Sequence, residues 1–155
     1  MKRKILIMGG SYFIGKSIAE TFSQFGDDVY VLNRGTRPLH DSKIKELVCD
    51  REDQEQLKKI LDDHHFEVVI DVSATNKKHS QYLIEALHTD QLASFIFISS
   101  SAVYDVENLS IPYKVSDPLG ENSYWGDYGT NKIEAETYLK TQLTNSQIII
   151  LRPPY

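Results

Sequence analysis

Ile5-Leu6-Ile7-Met8-Gly9-Gly10-Ser11-Tyr12-Phe13-Ile14-Gly15 is a short apolar run that breaks on two glycines and reopens with helical periodicity. A strand, a tight glycine turn and a helix, in that order, aim helix N-terminal N–H groups and the positive end of the helix dipole at an anion. The arrangement is a phosphate site. Beyond the turn, Ile14, Ile18, Phe22 and Phe25 recur at spacings of 4, 4 and 3, an amphipathic helix that Gly26-Asp27-Asp28 ends.

Working outward, further strand-like runs are Val29–Leu32, Ile44–Cys49, Val68–Val72, Phe95–Ser99 and Gln147–Leu151, after the first at Lys4–Met8. They are continuous rather than alternating, as expected for strands covered on both faces. Helix-period segments lie between them: Leu57, Ile60 and Leu61 mark one, and Tyr82, Leu83, Ala86 and Leu87 another. A last helix is expected from about Asp127 to Leu143, with Ile133, Tyr138, Leu139 and Leu143 as packing residues. Strand–helix alternation with right-handed crossovers predicts an α/β, doubly wound parallel sheet of about six strands with helices on both faces. Tyr104–Trp125 has two prolines, Gly120 and little periodicity, and reads as a long surface loop.

Composition sets bounds. The chain has 155 residues, enough for one domain, with 41% hydrophobic and 25% charged residues. A net charge of −5 disfavours general nucleic-acid affinity, so RNA is not the expected partner. The apolar run after Met1-Lys2-Arg3-Lys4 is too short for a signal peptide or a membrane span, so no membrane association is expected. Cys49 is the only cysteine, fits a reducing cytoplasm and reads as a small buried strand residue. His64 and His65 are adjacent, so their side chains diverge. No further ligand cluster is visible, no metal site is expected, and a helix C-terminal charge or capping role is preferred. Glu134 and Glu136 read as surface charges.

Two more motifs follow the glycine turn. Ser99-Ser100-Ser101 ends the run Phe95-Ile96-Phe97-Ile98, and Tyr128-Gly129-Thr130-Asn131-Lys132 opens the last helical pattern. Tyr128 and Lys132 are four apart and share a helix face. An unperturbed tyrosine pKa near about 10 is too high for an efficient base at neutral pH, and a neighbouring ammonium lowers it.

The three motifs in this order resemble the extended short-chain dehydrogenase/reductase superfamily, its NAD(P)-dependent epimerases and dehydratases, in their N-terminal Rossmann portion. The resemblance implies catalytic roles for Ser100, Tyr128 and Lys132. Aligning Val103-Tyr104 selects Ser100, with Ser99 as the alternative. Ser100 would orient the substrate hydroxyl or carbonyl, Tyr128 would exchange its proton, and Lys132 would also hold the nicotinamide ribose. Gly9, Ser11, Tyr12, Phe13, Ile14 and Gly15 would form the pyrophosphate turn, with Tyr12 where the family has its central glycine. That substitution either bulges the loop or weakens binding. Asn33 and Arg34 stand where an acid would select NAD, so NADP is favoured over NAD. Asp50 matches an adenine-binding acid, or caps the next helix; Ser73 and Ala74 would let the backbone pass close under the cofactor.

The implied function is epimerase, dehydratase or reductase chemistry by hydride transfer on a small molecule such as a nucleotide sugar. A non-catalytic NAD(P)-sensing or RNA-binding protein on the same fold is the alternative, with an isoflavone-reductase-like reductase as a third. Members usually continue into elements that cap the substrate, so this chain is expected to be a truncated cofactor-binding domain. Such a form should self-associate through apolar surface near the sixth strand and be inactive alone.

Overall fold

The computed structural model describes residues 2–39 and 41–154. Six strands form one parallel sheet: β1 Lys4–Met8, β2 Asp28–Asn33, β3 Lys45–Val48, β4 Val68–Asp71, β5 Ser94–Ile98 and β6 Gln147–Leu151. The spatial order is β3-β2-β1-β4-β5-β6. Four helices connect them: α1 Phe13–Gln24, α2 Gln54–Leu61, α3 Lys77–Ala86 and α4 Asp127–Gln142. A short 3-10 turn follows β5 at Ser101–Val103. The strand order reverses direction between β1 and β4, and in such sheets ligands bind beyond the strand C-termini at that point. The expected doubly wound sheet is therefore the one observed.

The helices divide unequally between the two faces. Residues of α2, α3 and α4, including Leu57, Leu61, Leu83, Ala135 and Leu139, pack on Leu6, Leu32, Val69, Phe95 and Phe97. On the other face α1 contributes Ala19 against Ile5, Ile7, Val29, Val31 and Ile70. That cover reaches partly buried Ile96 of β5. Next to it, in register on β6, Ile149 and Leu151 are 36% and 49% exposed. The reading that every strand is covered on both faces is corrected at both sheet edges. The opposite edge, β3, is largely exposed, and its polar residues are tied inward: Lys45 binds Asp28 and Tyr30, and Glu46 accepts from Asn33. Charged side chains on an edge strand discourage further pairing.

In α1 the buried residues are Gly15, Ala19 and Ser23, while Ile14 is 38% and Phe25 75% exposed. The apolar stripe of the sequence is thus corrected by one position, because the smallest side chains let the helix sit closest to the sheet. Tyr104–Trp125 is an irregular stretch, as expected, but Tyr104 pairs with Leu119 in an isolated bridge. Buried Asn122 anchors its end, donating to the Ala102 and Tyr104 carbonyls at 3.1 and 3.2 Å. No helix among the described residues is long and apolar enough to cross a membrane.

Candidate active site

The glycine turn leaves β1 with Gly9 at φ +86°, where a Cβ would stand 2.7 Å from the Ser73 Cβ. A Cβ on Gly15 would lie 2.2 Å from the Gly9 carbonyl oxygen, so α1 rests directly on the turn. Helix α1 starts without a side-chain cap and has no acidic residue in its first turn. Its first N–H groups lack intrahelical partners and can face an anion. Tyr12, in extended conformation, turns its ring outward, 63% exposed, beneath the Arg37 guanidinium at 4.1 Å. Phe13 takes φ +47°, a left-handed conformation costing about 1–2 kcal/mol for a residue with a side chain.

Beside the turn lies a cavity of about 600 Å³, lined by Ser11, Tyr12, Arg34, Arg37, Asp50 and Ser73 among others. Asn33 is buried and shapes the rim: its Oδ1 accepts from the Gly35 N–H at 2.6 Å and its Nδ2 donates to Glu46 at 2.9 Å. Arg34 and Arg37 are exposed on that rim. Asp50 does not cap α2. Asp53 does, accepting from the Gln56 N–H, while Asp50 accepts from the Glu52 N–H at 3.0 Å and keeps a place in the cavity wall. Cys49 is buried, as expected, and makes no disulfide.

The cavity floor holds a polar network that sequence reading missed. Arg51 grips the fully buried Asp71 with two bonds of 2.9 Å, and also donates to the Ser73 hydroxyl at 2.7 Å and the His79 carbonyl at 3.1 Å. Its Nε is buried with no partner. Burial alone would raise the Asp71 pKa, but Arg51 and the Ser73 and Ala74 N–H groups outweigh it and hold the carboxyl below its usual value. The signal was an acid closing an apolar strand, Val68-Val69-Ile70-Asp71, since a buried charge demands a partner. His79 accepts from the Thr75 N–H at Nδ1, so the proton sits on Nε2 and is donated to Glu52 at 3.0 Å.

At the C-terminal end of β5, the 3-10 turn that follows Ser100 meets helix α4, which carries Tyr128 and Lys132. A Cβ on Gly129 would lie 2.3 Å from the Ala102 carbonyl oxygen, so the first turn of α4 sits on the 3-10 turn. Ser100 is buried and caps that turn, its Oγ accepting from the Ala102 N–H at 3.0 Å. Ser99, also buried, donates instead to Glu136 at 2.6 Å. Tyr128 is half-buried one helical turn before Lys132. Lys132 is 3% exposed and donates to the Ala74 carbonyl at 2.6 Å and the Ile98 carbonyl at 2.8 Å. Its ammonium thereby fastens the ends of β4 and β5. Burial pushes its pKa down to about 8; the Asp71 carboxylate opposes the fall and the Arg51 guanidinium adds to it.

Glu136 is not a surface charge. It is 1% exposed and paired with Arg152 at 2.7 Å, while Arg152 also lies over the Tyr104 ring. Nor do the two adjacent histidines serve the helix end alike. His64 accepts from the Lys4 ammonium at 3.2 Å against Tyr30 and Phe66, and burial, then Lys4, lowers its pKa. His65 turns the other way, to His88 and Asp90.

The model of the NAD-dependent epimerase/dehydratase family matches residues 5–155. The chain is 29% identical over 168 residues to the chloroplast stem-loop binding protein of 41 kDa b of Arabidopsis thaliana, covering 99% of this chain and 42% of that protein. It is 26% identical over 162 residues to the UDP-glucose 4-epimerase of Erwinia amylovora, covering 88% and 47%. Among solved structures, the Thermotoga maritima UDP-glucose 4-epimerase with UDP-glucose superposes with a TM-score of 0.82 at 22% identity, over 96% of this chain and 54% of that one. The Bordetella bronchiseptica enzyme WbmH in complex with NAD+ gives a TM-score of 0.81 at 16% identity, over 98% and 56%. At these identities the structural likeness shows the fold. The chain spans about half the length of the relatives it matches.

Proposed function

This chain belongs to the NAD-dependent epimerase/dehydratase family, and from that premise we propose that it is the cofactor-binding part of an enzyme acting by hydride transfer on a hydroxyl or carbonyl group, with a nucleotide sugar as the substrate class. The observation that carries the reading is the corner at the end of β5. Lys132 is held there by two carbonyls with Tyr128 one turn away and the Ser100 turn packed against the same helix.

The residues present fit a nicotinamide dinucleotide. The uncapped start of α1 can receive a pyrophosphate, Gly9 lets the turn pack against Ser73, and Asp50 offers an acceptor to the adenine amino group. Arg34 and Arg37 favour the extra phosphate of NADP over NAD by pairing with it, and Asn33 itself carries no charge, its amide holding the Glu46 carboxylate. The dinucleotide, when bound, supplies the hydride acceptor or donor. Lys132 has one N–H beyond its two carbonyl bonds for a ribose hydroxyl, and its charge favours the Tyr128 phenolate. Tyr128 then takes the substrate hydroxyl proton as the carbon is oxidised, or returns it in reverse, with Ser100 orienting the oxygen.

The likeness to the stem-loop binding protein, together with Tyr12 in the glycine turn, favours one second reading. It is a nucleotide- or RNA-binding protein that has kept the fold. A basic surface is not what a net charge of −5 provides. We further place the protein in the cytoplasm, and expect the 155-residue chain to self-associate through the uncovered β5–β6 face and to bind cofactor without turnover.

Calorimetric titration of NADPH and NADH tests the cofactor assignment. NADPH should bind more tightly, and Arg34→Ala should remove most of the difference. Tighter NADH binding, or an unchanged preference in Arg34→Ala, would overturn it. Tyr128→Phe should leave cofactor affinity nearly unchanged while abolishing turnover in the protein carrying its substrate-binding portion.

A further inference from the structure

We propose that His65, His88 and Asp90 form a binding site for a divalent transition-metal ion of the zinc class, at the sheet end opposite the cofactor cavity. One ring nitrogen from each histidine and a carboxylate oxygen of Asp90 all lie within 4.8 Å of one another. The residues come from two different connections. His65 lies between α2 and β4, and His88 and Asp90 lie between α3 and β5. A parallel backbone bridge between His65 and His88 fixes these connections side by side. The imidazoles stack with centroids 4.5 Å apart and planes 22° apart.

The hydrogen bonds around the pair prepare it for a cation. His88 Nε2 is 2.7 Å from the Asp62 carbonyl oxygen, which can only accept, so Nε2 carries the proton and Nδ1 presents its lone pair. His65 Nδ1 faces the Asp90 carboxylate at 3.3 Å, so an ion seated between them would take the Nδ1 lone pair and leave the ring proton on Nε2. A histidine that gives its other N–H to a carbonyl or carboxylate is oriented and made more basic as a ligand. Two imidazoles with one carboxylate suit zinc and its neighbours, whereas magnesium and calcium prefer oxygen alone. A water can complete four ligands.

The site closes by small movements. Ligands around a tetrahedral zinc stand about 3.3 Å apart, given bonds of about 2.0–2.1 Å. The histidine χ2 torsion is broad, and the Asp90 side chain is 60% exposed and free to swing. The ion would then clasp the lead-in to β4 to the lead-in to β5. No residue of the cofactor cavity or of the Ser100–Lys132 corner takes part, so the site acts on the fold independently of the proposed chemistry.

The test is titration of the 155-residue chain with zinc chloride by calorimetry, with magnesium chloride as the comparison and melting followed by circular dichroism. One zinc ion per chain should bind, magnesium should give no saturable heat, and a hundredfold excess over the dissociation constant should raise the melting temperature by on the order of 5 °C. His65→Gln and His88→Gln should each weaken zinc about tenfold or more, with zinc-free melting close to that of the parent chain. Asp90→Asn should weaken it less. Equal zinc affinity in the His65→Gln/His88→Gln double variant, or no saturable binding by the parent chain, would overturn the proposal.

Discussion

Lys132 and Cys49 write opposite slopes into the pH dependence of stability. Burial holds Lys132 at about 8 in the fold, against about 10.4 in the unfolded chain. Between those values the unfolded chain binds the extra proton, so stability rises with pH, by up to about 3 kcal/mol. Burial, and then Asp53 and Asp50, raises the Cys49 thiol to about 11, above its unfolded value of about 8.5. The Cys49 contribution is intact below about 8.5 and is lost as pH rises through about 11. Urea unfolding across this range should show the rise vanish in Lys132→Met and the fall vanish in Cys49→Ala. An alkaline profile unaltered by Lys132→Met would mean that the lysine titrates normally. The same residues show what a sequence conceals at this scale. It marked Tyr128 and Lys132 by spacing, yet it read Glu136 as a surface acid, because residue type does not say which helix face is buried. Helix α4 buries Gly129, Lys132, Ala135, Glu136 and Leu139, a face chosen by ion pairing with Arg152 as much as by apolarity. Arg51 and Asp71, 20 positions apart, meet only once β3 and β4 are placed.

At the scale of elements, the seating of α4 on the 3-10 turn is the contact on which the proposed chemistry depends. Gly129→Ala would add a methyl 2.3 Å from the Ala102 carbonyl oxygen, backbone that cannot step aside. The general helix gain of Ala over Gly, about 1 kcal/mol, should be outweighed. A net loss of about 1–2 kcal/mol corresponds to melting lowered by about 2–8 °C, and cofactor affinity should fall as Lys132 shifts. Unchanged melting would show that the helix accommodates the methyl. Strands β1 and β6 were legible to the residue, since an apolar run bounded by charge or glycine has few other readings. The exposure of edge strand β3 and the rotation of α1 were not. Both depend on what a neighbouring element covers, and hydrophobic periodicity counts side chains without knowing how close a Gly15 or an Ala19 lets two backbones come.

For the whole molecule, the uneven cover of the sheet sets the expected behaviour in solution. Ile149 and Leu151 lie open on the face where α1 stops short. Burying such surface is worth roughly 25 cal/mol per Å², and open apolar patches find partners. Sedimentation should show concentration-dependent association that Leu151→Lys weakens; a strictly monomeric chain at high concentration would contradict this. Parallel topology was readable from alternation, whereas strand order and uncovered area belong to no single segment and appear only when all layers are assembled. Another consequence follows from the 34–44 connection, which has no helix among its described residues and exposes Arg34 and Arg37 beside the cavity. Trypsin cleaves poorly before proline, and Arg37 precedes Pro38, so Arg34-Gly35 is the bond in this rim open to attack. The connection is thus a built-in footprint. Saturating dinucleotide should shield Arg34-Gly35 from proteolysis, and a nicking rate unchanged by NADPH would mean that the ligand never reaches that arginine.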